Sequence, residues 1–250
     1  MRIAIISDIH GNLPALKAVL AKIDGIGVDF IACAGDIAGY GPWVNECIAL
    51  VRDRCRYVVM GNHEFGLLQV NEDFEDDKVL QSFYNSEALA ALRYTALRVS
   101  NGELEWIQNL PGLVVFDEVS LTMTHGGFIP PYFDDYILTL DDAMNQIKNI
   151  NTTVGVVGNS HMVGVFIAGY AFADSGHYFF DVGERFVVNA GSVGQPRDGN
   201  SLSSFVVLNE VDGCYKVELH RVYYNVEETF EQIIKEGLPT RNATRLCNGS

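Results

Sequence analysis

Five short apolar runs in this chain each break into a cluster of Asp, His, Asn and Gly, and no other feature restricts the fold as much. Arg2 to Ile6 leads into Asp8-Ile9-His10-Gly11-Asn12, Phe30 to Cys33 into Gly35-Asp36, and Tyr57 to Val59 into Gly61-Asn62-His63-Glu64. Leu121 to Met123 leads into Thr124-His125-Gly126-Gly127, and Val154 to Val157 into Gly158-Asn159-Ser160-His161. Short β-branched runs read as buried strands, and open α/β sheets carry their ligand-binding loops at strand ends. The five clusters are therefore expected to meet in one site.

Between the first three runs the apolar period changes from two to that of a helix, so strand, helix, strand, helix, strand is expected, with parallel strands joined by crossovers. Leu13, Leu16, Leu20 and Ile23 mark the first helix behind an Asn12 cap, with Pro14 in its first turn. Val44, Ile48 and Val51 mark a second helix after Pro42. Residues 71 to 110 read as helical, with the acidic stretch Glu72 to Asp77 as a solvated loop or lid.

From Leu113 hairpin-like strands follow, interrupted by a helix capped near Thr139 and closed by a helix from Val226 to Lys235 with Gly237 at its end. Val211-Asp212-Gly213-Cys214 reads as a hairpin turn. Without a linker or repeat, residues 1 to 250 are expected to form one two-sheet α/β domain, with 239 to 250 a flexible tail.

Hydrophobic residues make up 48% of the 250, enough for a full core. A formal net charge of -15, from 32 acidic and 17 basic residues, opposes long nucleic acids and anionic membranes. Five scattered cysteines without a C-x-x-C pair argue against disulfides and thiolate zinc and suit a reducing cytoplasm. No apolar run approaches the roughly 20 residues of a membrane helix.

The clusters themselves offer carboxylate, imidazole and amide oxygen, a donor set that suits Mn, Fe or Zn. A period of two would point Asp8 and His10 the same way if strand geometry persists past Ile6. The glycine beside each cluster permits a φ > 0 turn or a close backbone approach. Taken singly, Asp8 could cap a helix, Asp36 a turn, and His125 or His161 could be ordinary hydrogen-bonded histidines. Their joint placement favours a binuclear metal centre, with ions roughly 3.5 to 4 Å apart. His177 and His220 lie outside the clusters and read as structural or surface residues.

In order, Asp8-Ile9-His10, Gly35-Asp36, Gly61-Asn62-His63-Glu64, His125-Gly126 and Gly158-Asn159-Ser160-His161 resemble the five blocks of the calcineurin-like metallophosphoesterase superfamily over residues 1 to 200. The resemblance implies a four-layer α-β-β-α sandwich of two facing mixed sheets flanked by helices. It also implies one ion held by Asp8, His10, Asp36 and His161, and another by Asp36, Asn62, His125 and the residue at 159. Asp36 would bridge them, and His63 would assist the leaving oxygen. The chain departs from the family pattern at Asn159, where histidine is usual, which puts full occupancy of the second ion in doubt.

Gly39-Tyr40-Gly41-Pro42 and the stretch Asn189 to Gly199 are similar to a bacterial branch near diadenosine tetraphosphatases and small phosphodiesterases. Arg197 in that stretch could bind a phosphate oxygen; a pair with a carboxylate such as Asp198 is the alternative. The expected function is metal-dependent hydrolysis of a small phosphomonoester or phosphodiester through a metal-bridging hydroxide, with two divalent ions, Mn first among Fe, Zn, Ni and Co. The alternatives are a dinucleoside polyphosphate hydrolase and, from another class, a non-catalytic metal-binding scaffold.

Overall fold

The computed structural model describes residues 1–70, 78–172, 175–181, 183–211 and 214–250. The acidic stretch Glu72 to Asp77 and the turn residues Asp212 and Gly213 lie outside them. The N-terminal half alternates as expected: β1 (Arg2–Ile6), α1 (Leu13–Ile26), β2 (Phe30–Cys33), α2 (Val44–Arg54), β3 (Cys55–Val58) and α3 (Asn62–Gln69). β3 starts two residues before the predicted run, because Cys55 already pairs with Ile31 across a bulge. Three helices follow, α4 (Lys78–Phe83), α5 (Ser86–Ala96) and α6 (Asn101–Gln108), then β4 (Leu113–Phe116) and β5 (Leu121–Thr124).

The second half contains α7 (Leu140–Gln146), β6 (Val154–Val157), β7 (Gly164–Ile167), β8 (Tyr170–Phe172), β9 (Gly176–Asp181) and β10 (Phe186–Asn189). It closes with β11 (Ser203–Val211), β12 (Cys214–Val222), α8 (Val226–Lys235) and α9 (Thr240–Asn248). The strands form two six-stranded mixed sheets, ordered β3-β2-β1-β11-β12-β9 and β4-β5-β6-β10-β7-β8. β1, β2 and β3 run parallel, as do β5, β6 and β10. In the β11–β12 hairpin Val211 stands opposite Cys214.

The period-two alternation of β1 distributes its side chains between two cores. Ile3 and Ile5 face the space between the sheets with Val154, Val156, Val206 and Leu208, while Ala4 and Ile6 pack beneath Leu16, Val19 and Ile48 of α1 and α2. On the far side Val157 and Val187 meet Ala143 of α7. The result is the expected four-layer α-β-β-α sandwich of two facing mixed sheets flanked by helices.

The predicted caps are present: Asn12 accepts from the Ala15 N–H, Thr139 caps α7, and Gly237 follows α8 at φ 71°. The tail prediction is corrected. Residues 240–248 form α9, which buries Asn242, Ala243 and Leu246 against Tyr40, Ile233 and Leu238. The apolar positions there are few but fall on one face, and that face covers the loop after β2, a contact that local composition does not reveal.

Candidate metal centre

The loops that leave β1, β2, β3, β5 and β6 gather at one end of the two sheets, and short backbone bonds tie them together. Asp8 N–H donates to the Gly35 carbonyl, Gly158 N–H to the His125 carbonyl, and Gly194 N–H to the Asp8 carbonyl. The candidate ligand residues do not continue the strands. Asp8, His10, Asp36, Asn159 and His161 all have left-handed backbones, with φ between 50° and 61°. Asp8 and His10 thus reach the same site through a turn rather than through strand alternation. Such conformations cost about 1–3 kcal/mol each and cluster where a site over-determines them.

The neighbouring glycines serve mainly close approach. A Cβ on Gly61 would collide with the Asp36 carboxylate, and one on Gly158 with the side chains of Ser7 and Asp8.

Three imidazoles are oriented in the same way. Nδ1 of His10 donates to the Ala38 carbonyl at 2.9 Å, Nδ1 of His125 to the Ala34 carbonyl at 2.6 Å, and Nδ1 of His161 to the Gln195 carbonyl at 2.5 Å. A carbonyl only accepts, so each Nδ1 carries the proton and each Nε2 points into the site. Nε2 of His161 lies 3.1 Å from Asp8 Oδ1, and Nε2 of His10 lies 3.7 Å from both Asp8 Oδ1 and Asp36 Oδ2. Asp36 Oδ2 is also 3.4 Å from Nε2 of His125, which sits 3.0 Å from Asn62 Oδ1.

Asp8 Oδ1 is buried with no hydrogen-bond partner, while Oδ2 accepts from the Ser7 hydroxyl and the Asn159 N–H. A fully buried carboxylate oxygen facing two ring nitrogens fits a cation. Asp8, His10 and His161 form one group with ligand atoms within 4.8 Å of one another; Asp8, Asp36 and His125 form a second.

The electrostatics agree. Burial would raise the Asp8 and Asp36 carboxyls, but the histidines around them hold both well below the usual range. Burial would lower His125, yet Asp36 raises it to about 10. His161 is pushed down to about 4 by burial and by Arg197, and burial pushes His63 down to about 3.

The remaining predicted residues border these groups, and buried His63 joins His10 and Asp36 in a third one within the same 4.8 Å. His63 and Arg197 line a cavity of about 80 Å³ with Asp36, Asn62, Asn159 and His161. Arg197 is not paired with Asp198, which instead bonds Arg221; its Nη2 donates to Gln195 Oε1 at 3.0 Å and its guanidinium lies over the Tyr40 ring. Asn159 donates its amide N–H groups to the carbonyls of Phe133 and Asp135, at 3.2 and 2.8 Å. The larger hollows, about 450 Å³ beside β4 and about 460 Å³ beside α8, are lined by no histidine, so chemistry rather than volume singles out this site. His177 is exposed on β9 and His220 stacks on Phe205, both outside the centre.

Glu64 escaped the residue-by-residue reading. Its buried carboxylate accepts the backbone N–H groups of Asp36, Ala38 and Gly61 at 2.8, 2.9 and 3.0 Å, so it fixes the loops after β2 and β3 relative to each other. Its place as third residue of α3, from which a carboxylate can reach back to the N–H of the residue before the helix, was the available clue.

Two facing sheets with nitrogen and oxygen donors converging at their strand ends offer a candidate metal site. A model of the family described as calcineurin-like phosphoesterase matches residues 1–156. MJ0912 of Methanocaldococcus jannaschii, an uncharacterized protein, is 34% identical over 99% of this chain and 98% of its own. A metallophosphoesterase from Sphaerobacter thermophilus superposes with a TM-score of 0.85 at 30% identity, covering 100% of this chain and 99% of that one. A symmetrical bis(5'-nucleosyl)-tetraphosphatase of Hamiltonella defensa is 28% identical over 51% of this chain, which spans 45% of that protein. The chain belongs to the calcineurin-like phosphoesterase family and is a hydrolase acting on ester bonds. Among the described residues no helix is long and apolar enough to cross a membrane.

Proposed function

We propose that the protein holds two divalent transition-metal ions, Mn first among them, and hydrolyses a phosphomonoester or phosphodiester of a small molecule or nucleotide. The observation that carries this reading is Asp36 Oδ2 lying between the Nε2 atoms of His10 and His125, at 3.7 and 3.4 Å. Asp8, His10, Asp36 and His161 would hold one ion, and Asp36, Asn62 and His125 the other. Asn159 has its amide nitrogen committed to two carbonyls, which leaves only its oxygen for a ligand role. When bound, paired cations polarise a phosphoryl oxygen and make water a nucleophile near neutral pH.

The chain's own residues supply the rest. Arg197 offers a guanidinium to a phosphoryl oxygen, with Gln195 setting its position. His63, neutral in its buried setting, donates a hydrogen bond to the phosphoryl group; a bound anion raises its proton affinity, which suits it to protonate the leaving oxygen. Cys33, Cys47, Cys55 and Cys247 are free thiols, in keeping with a reducing, cytoplasmic location.

The similarity to symmetrical bis(5'-nucleosyl)-tetraphosphatases supports a second reading, hydrolysis of a dinucleoside polyphosphate, over about half the chain. Chromatography of the products from diadenosine tetraphosphate separates the two. The primary test is turnover of bis-p-nitrophenyl phosphate and p-nitrophenyl phosphate after chelation and Mn addition, with His63→Ala alongside. Mn-dependent turnover reduced about 10²- to 10⁴-fold in the variant, with metal retained, is expected. Bound metal without turnover of any of these substrates would favour the scaffold reading.

A further inference from the structure

The small cavity over the candidate ligands adjoins a second one of about 250 Å³, and the two share Asn62, Phe83, Tyr84, Tyr136 and Asn159. Four of the residues lining the outer cavity are aromatic. Tyr84 is fixed by a 2.6 Å hydrogen bond from its hydroxyl to the Asn62 carbonyl, and Phe133 by stacking on Phe65 at 4.7 Å. Phe83 and Tyr136 are 68% and 51% exposed, although large aromatic side chains normally bury most of their surface. These exposed rings stand at the mouth of the cavity that leads to the metal ligands.

Charge distinguishes the two ends. Arg197 lines the inner cavity beside Asp36, whereas among the described residues the only charged side chain lining the outer one is Asp134. A second anionic group on the substrate would be repelled there. A neutral planar ring fits, because it can stack on the exposed rings while its amino hydrogens face an acceptor.

Resting on the phosphoesterase reading of the inner site, we infer that the outer cavity binds a nucleobase joined to the phosphate under attack, stacked on Phe83 and Tyr136 with Asp134 accepting from its amino group. The substrate class is then a nucleotide ester rather than a sugar or alkyl phosphate.

The test compares two non-hydrolysable probes, phosphonoethyl-adenine and ethylphosphonate, by calorimetry on Mn-replete protein. One base-on-ring stack gives the adenine probe an advantage of at least roughly fivefold. The double variant Phe83→Leu, Tyr136→Leu should erase that advantage, read as the ratio of the two probes' affinities in the same variant, while Phe83→Trp keeps it. Equal affinity of the two probes, binding of neither, or an advantage that survives the double variant would overturn the inference. Turnover of bis-p-nitrophenyl phosphate separates the two layers of the argument. Turnover without base preference removes the nucleobase site alone, and base-dependent binding without turnover removes the catalytic reading alone.

Discussion

His10 and His161 present their Nε2 atoms to each other across 3.1 Å, with their rings stacked at 4.8 Å. Each ring donates its Nδ1–H to a backbone carbonyl, so two lone pairs and the unpartnered Asp8 Oδ1 face a common point. A cation relieves that opposition. Saturating a site at a hundred times its Kd adds about 2.7 kcal/mol, and in a chain of this size that moves the melting midpoint by about 5 to 10 °C. Chelation should lower Tm by this amount and Mn should restore it; a midpoint indifferent to both would count against a metal centre.

Metal uptake should depend on pH through His125. Burial alone would favour its neutral form, but Asp36 at 3.4 Å raises its pKa to about 10, so in the metal-free protein it carries a proton at neutral pH. A metal ion at Nε2 has to displace that proton. Apparent Mn affinity should therefore rise by up to about tenfold per pH unit above neutrality, as expected for release of one proton. Mn titrations between about pH 6.5 and 8.5 check this, and a flat profile would exclude His125 as a ligand.

Glu64→Gln should loosen the centre without touching a ligand. The carboxylate serves three backbone N–H groups, and a glutamine supplies one oxygen while turning an N–H₂ toward the others. Burial and Asp36 push the Glu64 pKa up to about 7, and the N–H groups of Ala38 and Gly61 counter that rise. The loss should be about 1–3 kcal/mol by urea denaturation, with weaker Mn binding. A variant as stable as the parent would show that these loops need no such tie.

If two ions bind as proposed, Asn159→His should tighten the second. The amide of Asn159 already donates to the Asp135 carbonyl at 2.8 Å, as the ring Nδ1 atoms of the other three histidines donate to theirs. A histidine donating there would turn Nε2 toward the site, and imidazole binds a borderline-soft ion better than an amide oxygen. Roughly tenfold tighter binding in a calorimetric titration is expected; no change would remove position 159 from the ligand set.

Much of this was legible in the chain itself. The two-residue period of β1 and the helical period of α1 and α2 fix which faces are apolar, because burial acts on each side chain through its own local geometry. The residues grouped by the structure, Asp8, His10, Asp36, His63, His125 and His161, are ones the clusters had already marked, since polar groups that follow a buried strand at once have few places to go. Local pattern could not show that these residues turn left-handed rather than extend the strands, or that Arg197 leaves Asp198 to Arg221. Nor could it show that residues 240–248 pack as a helix over Tyr40, or that Phe83 and Tyr136 meet at one cavity. Those outcomes depend on contacts between segments more than 20 residues apart, and the energy of such contacts belongs to the pair of surfaces, not to either stretch of sequence.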